Sequence, residues 1–356
     1  MFILPLISPE KMGLPFKELI VKHDISIKEL HGKILAIDSM NLLYQFLTTI
    51  RAADGSVLTD KQGQVTSHLI GLFSRTTALM EEGLKLVFVF DGKPPGIKQK
   101  TWEKRTAFKT EAHLKLQQAE KAGNIEDMKK FASRTSILTR DMIDDAKKVI
   151  QALGLPVVQA PSEGEAQTAY MVKKGSAYAS ISQDYDNLIF GCPRLVRNLS
   201  IAGKRKKTGT LGYQTIKPEV ILLPEILKKL EIDLEQLIVV AILSGTDYNP
   251  GGIKGIGPKT ALKLVKEHGK DFTAIFKQVE WEKDYPDLGW KEVFDTIKNV
   301  GVTDEYELKW KPVDEKELFD LLVKKHDFGE ERVRDKMVKL KEVQGKGEQQ
   351  GLGGFL

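Results

Sequence analysis

The chain has 356 residues, of which 41% are hydrophobic and 29% are charged, and its formal net charge is +5. This length and composition allow one large domain or two ordinary ones, and they exclude disorder of the whole chain. Cys192 is the only cysteine, which excludes an internal disulfide and a thiolate zinc site, and no apolar run is long enough to span a membrane.

The first predicted strands each end in an acidic residue. The apolar run at residues 34–37 leads into Asp38, and the run at 86–90 leads into Asp91. Between these strands, apolar side chains recur at a helical period over residues 65–80, which predicts a helix.

A long charged segment follows the second strand. Residues 97–133 are sparse in apolar side chains, so they predict helices that project from the body rather than a core helix. A solvated surface excursion is the simpler alternative. The mixture of basic residues with Trp102 and Phe108 favours contact with a nucleic acid strand.

Strands and helices alternate through the middle of the chain. A helix over residues 142–153 precedes a short strand at 157–158, a second strand covers 178–182, and residues 187–190 fit a further strand. Strands that alternate with helices predict an α/β fold, with a mainly parallel central sheet flanked by helices.

Acidic residues follow the predicted strands and one later apolar run. Carboxylates at the carboxyl ends of strands meet at the mouth of an α/β sheet, where they repel one another and raise each other's pKa. Such a cluster stays ionised only if cations fill it, and oxygen-only ligation indicates Mg²⁺ or Mn²⁺. The residues in these positions are Asp38, Asp91, Glu163, Glu165, Asp184, Asp186 and Asp247.

A glycine-rich loop at residues 251–261 contains no Walker pattern and is preceded by a helix, which favours a helix, glycine hairpin, helix arrangement. Gly255 and Gly257 allow the backbone to approach a phosphate, while Lys259 and Lys263 add charge to the next helix. Such a loop holds duplex backbone without reading sequence, and its carbonyls can hold a monovalent cation. A tight inter-helix turn without a ligand is the alternative.

Five segments, in order, resemble motifs of the flap endonucleases, the structure-specific 5′ nucleases of DNA replication and repair. The resemblance runs from Met12 to the end of the chain and leans towards archaeal members. It implies one nuclease domain over residues 12–340, a helical arch at about 97–138 and a helix-two-turn-helix DNA-binding element at about 236–268. The segments are LAIDSMNLLYQF (35–46), VFVFDGKPP (87–95), APSEGEA (160–166), ISQDYDNL (181–188) and LSGTDYNPGGIKGIGPKTA (243–261).

The resemblance implies a two-metal phosphodiesterase. It would act as a 5′-flap endonuclease and 5′–3′ exonuclease in Okazaki fragment maturation and repair. Its seven carboxylates would hold two Mg²⁺ ions, for which Mn²⁺ can substitute. The most direct ligation is expected from Glu163, Glu165 and Asp184. The other four are expected to act partly through coordinated waters.

Further site residues follow from the same resemblance. Lys98 and Arg105 match basic residues on the helix over the active site, and we expect them to stabilise the charged transition state. Tyr44 matches the aromatic residue that stacks on a base beside the cut, and Arg75 is expected near the 3′-flap side. The helix-two-turn-helix element would grip duplex DNA and a K⁺ ion.

The last residues match the peptide pattern that binds the sliding clamp (PCNA). Gln349 would fill a small pocket, and Leu352, Phe355 and Leu356 would form one apolar face of a short turn within a flexible tail at 341–356. A floppy end without function is the alternative, but the spacing of these apolar residues favours clamp binding. The resemblance further implies a monomer that acts on branched DNA with a 5′ flap. It would act in the cytoplasm of an archaeal-type cell, or in the nucleus if the source is eukaryotic.

Residues 1–11 precede a family-like start at Met12-Gly13-Leu14, which in the family lies near the active site. We expect them to be an extension, or the product of a misassigned start. Two other interpretations remain open. A related junction resolvase or exonuclease would lack the long arch or the clamp tail, and a non-catalytic DNA-junction scaffold recruited by the clamp would tolerate loss of acidic ligands.

Overall fold

A computed structural model describes residues 14–52, 55–98, 137–206 and 213–352, together with Glu111, Lys115 and Gln118. Most of the predicted arch, including Arg105, lies outside the described residues, as do residues 1–13 and the tail residues Phe355 and Leu356. Glu111, Lys115 and Gln118 are helical, and Lys115 pairs with Glu111 at 2.5 Å.

The strands of the described chain form one large sheet and one hairpin. Seven of them follow the order β1-β9-β6-β5-β2-β3-β4, while β7 and β8 pair only with each other. The strands are β1 (His23–Asp24), β2 (Ile34–Asp38), β3 (Lys85–Phe90), β4 (Val157–Gln159), β5 (Ala179–Ile181), β6 (Arg194–Arg197), β7 (Gly203–Lys206), β8 (Tyr213–Ile216) and β9 (Glu219–Leu222).

The centre of the sheet is parallel and one edge is antiparallel. β2 pairs in parallel with β3 and β5, and the parallel order extends to β4 on one side and β6 on the other. β9 then runs antiparallel to both β6 and β1. The predicted α/β fold with a mainly parallel sheet is therefore confirmed.

Helices cover the sheet and build a second lobe beside it. The α-helices with described bounds are α1 (Ser39–Thr49), α2 (Ser67–Glu81), α3 (Arg140–Ala152), α4 (Gly164–Lys174), α5 (Leu223–Leu230), α6 (Leu234–Ser244), α7 (Pro258–His268), α8 (Phe272–Gln278), α9 (Trp281–Asp284), α10 (Trp290–Lys298), α11 (Glu315–Phe319) and α12 (Glu330–Leu352). Short 3-10 helices cover Phe16–Glu18, Ile27–Leu30, Gly96–Lys98, Asp186–Leu188 and Leu199–Ile201, and a π-helix covers Asp320–Lys325.

Alternate residues of the central strands enter two different cores. Leu35 and Phe88 face one side, where they join a cluster that includes side chains of α1, α2 and α3. Ala36 and Val87 face the other side, where they pack with Ala169 and its neighbours on α4. Because strand side chains alternate between faces, continuous apolar runs such as β3 serve both cores at once.

The second lobe is organised around α6. Every residue from 237 to 243 is buried, so this helix is apolar on all sides rather than amphipathic. Asp233 and Gln236 form a capping box at its start, which fixes where the helix begins. Its last residue, Ser244, brings the following turn to the acidic edge of the sheet.

Two predicted elements differ in the structure. Residues 186–188 form a 3-10 turn instead of a strand, because the buried Asn187 amide donates to the Glu165 carbonyl and to the hydroxyls of Thr168 and Ser180. Helix α12 continues to Leu352, where the sequence predicts a flexible tail from residue 341. Its buried anchors Val333, Met337 and Leu340 nucleate a helix that later residues can extend.

None of the helices among the described residues is both long enough and apolar enough to cross a lipid bilayer.

Candidate active site

The predicted carboxylates gather at the carboxyl edge of the parallel strands. Ile37 of β2 pairs with Phe88 of β3 and with Ile181 of β5, so these strands end at the same level. Asp38 ends β2, Asp91 directly follows β3, and the acidic loop after β5 lies alongside. Parallel strands in register therefore bring together residues that are far apart in the sequence.

Three of the carboxylates form the tightest group. One oxygen from each of Glu165, Asp184 and Asp186 lies within 4.8 Å of the others. The sequence predicts that Glu163, rather than Asp186, joins Glu165 and Asp184 in the most direct ligation. In the structure, Glu163 is instead engaged by Lys98.

Asp38 combines a structural contact with a place in the acidic cluster. Its Oδ1 accepts a hydrogen bond of 3.1 Å from the backbone N–H of Asn41, which makes it the N-cap of α1. Burial, followed by the charge of Asp91, raises the pKa of Asp38 to about 7. The Asp38 side chain therefore both caps α1 and belongs to the acidic site.

A contact between Asp91 and the start of α4 explains why residue 164 is a glycine. Oδ1 of Asp91 accepts a hydrogen bond of 2.7 Å from the N–H of Gly164, the first residue of α4. A Cβ atom at Gly164 would lie 2.7 Å from that same oxygen. Only glycine lets the carboxylate approach so closely, and the contact satisfies one free N–H of the helix. It also fixes Glu163 and Glu165, which flank the glycine.

Burial and neighbouring charges oppose ionisation of the clustered carboxylates. Burial, and then the charges of Asp186, Asp38 and Asp184, raise the pKa of Glu165 well above its usual range. Burial, and then Asp247 and Asp184, do the same to the pKa of Asp186. Each group resists ionisation because its neighbours would be charged as well. Full ionisation of the cluster therefore requires positive charge nearby.

Lys98 supplies part of that positive charge. Its Nζ lies 2.6 Å from Oε2 of Glu163 and 3.5 Å from Oδ2 of Asp247, and 4.9 Å from the ring centroid of Tyr248. Burial alone would lower the pKa of Lys98, but the charges of Glu163 and Asp247 outweigh it and raise the pKa. Lys98 ends a short 3-10 helix, and Arg105, its predicted partner, lies outside the described residues.

The acidic loop after β5 has contacts that the sequence does not predict. Nδ2 of Asn41 donates to Oδ2 of Asp184 at 2.5 Å, and the backbone N–H of Leu14 donates to Oδ1 of Asp186 at 3.2 Å. The described chain thus starts beside the acidic cluster. The position of Asn41, one helical turn after a strand-end aspartate, is the signal that could have identified it.

The glycine hairpin joins α6 to α7, as the sequence predicts. Gly245 and Gly252 are packed back to back, and a Cβ at Gly252 would lie 2.4 Å from the carbonyl carbon of Ser244. A Cβ at Gly255 or at Gly257 would meet nothing within 4 Å. Packing therefore requires glycine at positions 245 and 252, while space remains open beside Gly255 and Gly257.

Pro258 starts α7, and the lysines that follow it point into solvent. Lys259 and Lys263 have side-chain exposures of 74% and 76%, and they pair with Glu18 and Glu267 at 3.0 and 3.6 Å. Exposed pairs of this kind contribute little to stability, so both ammonium groups are available to a polyanion.

The remaining predicted residues have varied surroundings. Tyr44 is half-buried on α1, and the guanidinium of Arg75 donates to the carbonyl of Leu199, a contact within the fold. The backbones of Gln349 and Leu352 belong to α12, and their side chains are outside the described part of the structure.

The acidic cluster fits divalent cations. Its donors are all carboxylate oxygens, the set that Mg²⁺ and Mn²⁺ prefer. Oε1 of Glu163 is buried and has no hydrogen bond within the described chain, which leaves an oxygen for a further contact. The raised pKa values of Glu165 and Asp186 indicate that the protein's own groups do not fully compensate the negative charge of the ionised cluster.

Two family models match the chain. The model of the XPG N-terminal domain matches residues 14–112, and that of the XPG I-region matches residues 154–247. These spans contain all seven carboxylates, Lys98 and Tyr44.

Known proteins match over nearly the whole length. Flap endonuclease 1 from Pyrococcus abyssi is 52% identical over 341 residues, which cover 96% of this chain and 97% of that protein. The structure of flap endonuclease-1 from Methanococcus jannaschii has a TM-score of 0.72 and 41% identity, and the match covers 94% of this chain and 100% of that one. The catalytic core of Rad2 in complex with DNA substrate, at 24% identity and a TM-score of 0.66 over 92% of this chain and 99% of that one, shares the fold.

Proposed function

The chain belongs to the flap endonuclease 1 family, and from that premise we propose that it is a 5′ nuclease whose clustered carboxylates bind two divalent ions. It is a structure-specific flap endonuclease that acts on DNA, a role consistent with replication and repair. Its 5′ polarity, its 5′–3′ exonuclease activity and its part in Okazaki fragment maturation belong to the proposal.

One observation carries the proposal. Carboxylates from the ends of β2, β3 and β5, from the start of α4 and from the turn after α6 converge on one edge of the sheet. A protein without a charged ligand would gain nothing from this arrangement, because each buried carboxylate raises the pKa of the next. A phosphodiester bound through cations supplies both the missing charge and a reason for the convergence.

We assign Glu165, Asp184 and Asp186 as the side chains that hold a divalent ion most directly, with Asp38, Asp91, Glu163 and Asp247 around them. When bound, a pair of Mg²⁺ ions lowers the pKa of a water molecule and neutralises charge on the scissile phosphate. The protein supplies the anionic cage, orients it through the Asp91–Gly164 and Asp38–Asn41 hydrogen bonds, and excludes part of the solvent.

Lys98 is proposed to meet the charge that develops on the phosphate. Its ammonium is already inside the site, 2.6 Å from Glu163, and the raised pKa keeps it protonated. A cation held there before the substrate arrives needs little reorganisation during the reaction. Arg105 is proposed as its partner on the basis of the family pattern.

Duplex DNA is proposed to lie along the hairpin between α6 and α7. The open space beside Gly255 and Gly257 and the exposed lysines at the start of α7 support a sequence-independent grip on phosphates. A K⁺ ion at this hairpin is proposed on the basis of the family pattern.

The remaining proposals follow the family pattern. We propose that Tyr44 stacks on a base beside the cut and that Arg75 lies near the 3′-flap side. The C-terminal residues Gln349, Leu352, Phe355 and Leu356 would bind a sliding clamp (PCNA), and the protein would work as a monomer with the chromosomal DNA.

The experiment is cleavage of a labelled 5′-flap duplex with Mg²⁺ and with EDTA. We expect Mg²⁺-dependent cutting that Asp184→Ala abolishes, while flap binding persists because the substitution removes metal charge rather than DNA contacts. Asp295→Ala, at an exposed carboxylate on α10, is the matched control and should cut normally. Binding without any Mg²⁺-dependent product would instead indicate a non-catalytic scaffold.

A further inference from the structure

Asn41 is hydrogen-bonded to two separate acidic segments of the active site. We propose that it is a positioning residue, which holds the Asp184 carboxylate where a divalent cation can bind it. The inference rests on the proposed function, because it takes the carboxylate cluster as a cation site.

Three hydrogen bonds define the position of Asn41. Its backbone N–H donates to Oδ1 of Asp38 at 3.1 Å, and its side-chain Nδ2 donates to Oδ2 of Asp184 at 2.5 Å. Its Oδ1 accepts from the backbone N–H of Gln183 at 3.3 Å. One residue therefore ties the end of β2 to the loop that follows β5.

The partners determine which way the amide faces. The N–H of Gln183 can only donate, so the oxygen of the Asn41 amide must face it. The amino group then faces Asp184, which accepts when it is ionised. A residue with only acceptors could not serve both partners, and an aliphatic residue could serve neither.

The loop that Asn41 holds has further supports. Nε of Arg197 donates to the carbonyl of Gln183 at 2.8 Å, and Nε2 of Gln183 donates to Oγ of Ser200 at 3.1 Å. Gln183 is thus a fixed attachment point. Because the loop is already fixed at Gln183, the contacts of Asn41 position the neighbouring Asp184 side chain.

Repulsion makes this hold necessary. Oxygens of Asp184, Asp186 and Glu165 lie within 4.8 Å of one another, and ionised carboxylates at such a spacing push each other apart. The Asn41 amide donates a hydrogen bond to the ionised form of Asp184 and opposes that displacement. The cation then meets a ligand that is already in place, as outer hydrogen bonds provide in other metal sites.

Gln45 offers a matched control on the same helix. It lies one turn after Asn41 and is also a part-buried amide with a defined partner, since its Oε1 accepts from Oγ of Ser200 at 2.6 Å. Within the described residues, it makes no hydrogen bond to an acidic side chain. Changing it disturbs α1 in the same chemical way and reaches the acidic loop only indirectly, through Ser200 and Gln183, so it leaves the direct bond to Asp184 in place.

The test compares Asn41→Leu with Gln45→Leu, since leucine removes the polar groups of either amide and is close in shape to asparagine. Binding of Mn²⁺ is measured by electron paramagnetic resonance on full-length protein, and thermal unfolding in EDTA is recorded alongside. We expect Asn41→Leu to weaken Mn²⁺ binding about 10–100-fold, with flap cleavage recovering as Mg²⁺ is raised. Gln45→Leu should retain the wild-type affinity.

Wild-type Mn²⁺ affinity in Asn41→Leu would overturn the inference. An equal loss in both variants would overturn it too, because that pattern indicates general loosening of α1 or of the loop that Ser200 supports, rather than loss of the direct bond to Asp184. If Asn41→Leu does not fold, Asn41→Ala is measured in its place with the same criteria. Absence of Mn²⁺ binding in the wild-type protein would overturn the proposed function itself, and this inference with it.

Discussion

The ammonium of Lys98 forms a nearly buried ion pair with the carboxylate of Glu163, with 2.6 Å between Nζ and Oε2 and side-chain exposures of 12% and 8%. Burial raises the pKa of Glu163, and the charge of Lys98 opposes that rise. A lysine at the start of the predicted arch therefore helps to keep the acidic edge of the sheet ionised.

Removing Lys98 should destabilise the metal-free protein in a pH-dependent way. Lys98→Ala leaves Glu163 buried without its partner, and we expect a loss of about 1–3 kcal/mol in the free energy of unfolding at pH 8. At pH 5.5 the loss should be smaller, since Glu163 then takes up a proton more readily. Denaturant unfolding in EDTA at both pH values measures the difference.

Lys93→Ala is the control for that experiment, because Lys93 is exposed and belongs to the same connection after β3. It should unfold like the wild-type protein at both pH values. An equal loss at pH 8 and pH 5.5 in Lys98→Ala would show that packing, rather than the charge on Glu163, explains the effect. With Mg²⁺ and a flap substrate, Lys98→Ala should cut about 10²–10³-fold more slowly.

The metal-free protein should become less stable as the pH rises. Burial, and then the charge of Asp91, raise the pKa of Asp38 from 3.8 to about 7, so the folded protein binds this proton more tightly than the unfolded chain does. The associated stability is complete below the unfolded value and is lost as the pH rises through about 7. Between pH 5 and pH 8, we expect a decrease on the order of a few kcal/mol in EDTA.

Asp38→Asn separates the titration of Asp38 from that of other groups, because the amide still accepts the hydrogen bond from Asn41 but does not ionise. The variant should show a smaller pH dependence and should be inactive on flaps. Added Mg²⁺ should restore stability to the wild-type protein at pH 8. A metal-free protein that is more stable at pH 8 than at pH 5 would contradict the raised pKa.

The exposed lysines of α7 should contribute to DNA binding through charge alone. Lys259→Ala should weaken duplex binding about equally for different sequences and lower the slope of log affinity against log salt by about 1. Lys309→Ala is the control, since Lys309 is similarly exposed at 67% and also pairs with a glutamate. Affinity titrations across a salt series test both variants, and equal slopes would place the duplex elsewhere.

The C-terminal residues should act only in the presence of the clamp. Deletion of residues 345–356 leaves Val333, Met337 and Leu340, the buried anchors of α12, in place. Cleavage of free flaps should therefore be unchanged, while stimulation by a sliding clamp should disappear. A truncated enzyme that still responds fully to the clamp would show that the clamp binds another surface.

Much of the fold could be predicted because its signals are local. The apolar runs that became β2 and β3, the helical period that became α2 and the glycine hairpin before α7 all depend on neighbours in the sequence. The convergence of the carboxylates was also accessible, since parallel strands present their ends at one edge. The antiparallel pairing of β9 and β1 could not be predicted, because pairing between distant segments produces no periodic pattern in the sequence.

Details of the site depend on contacts across the fold. Lys98 was expected to face a phosphate, and its pairing with Glu163 becomes visible only when the start of the predicted arch is placed against α4. Asn41 has no signal beyond its spacing from Asp38, because its second partner lies 143 positions away. The turn at Asn187 likewise depends on side-chain bonds to another helix, which override the β propensity of the apolar residues nearby.

The most direct test of the account is anomalous scattering from crystals soaked in Mn²⁺. The account predicts paired peaks at the carboxyl edge of the sheet, with the strongest in contact with Glu165, Asp184 and Asp186. Peaks dispersed over distant surfaces, or no peak among these carboxylates at a Mn²⁺ concentration that supports cleavage, would contradict it.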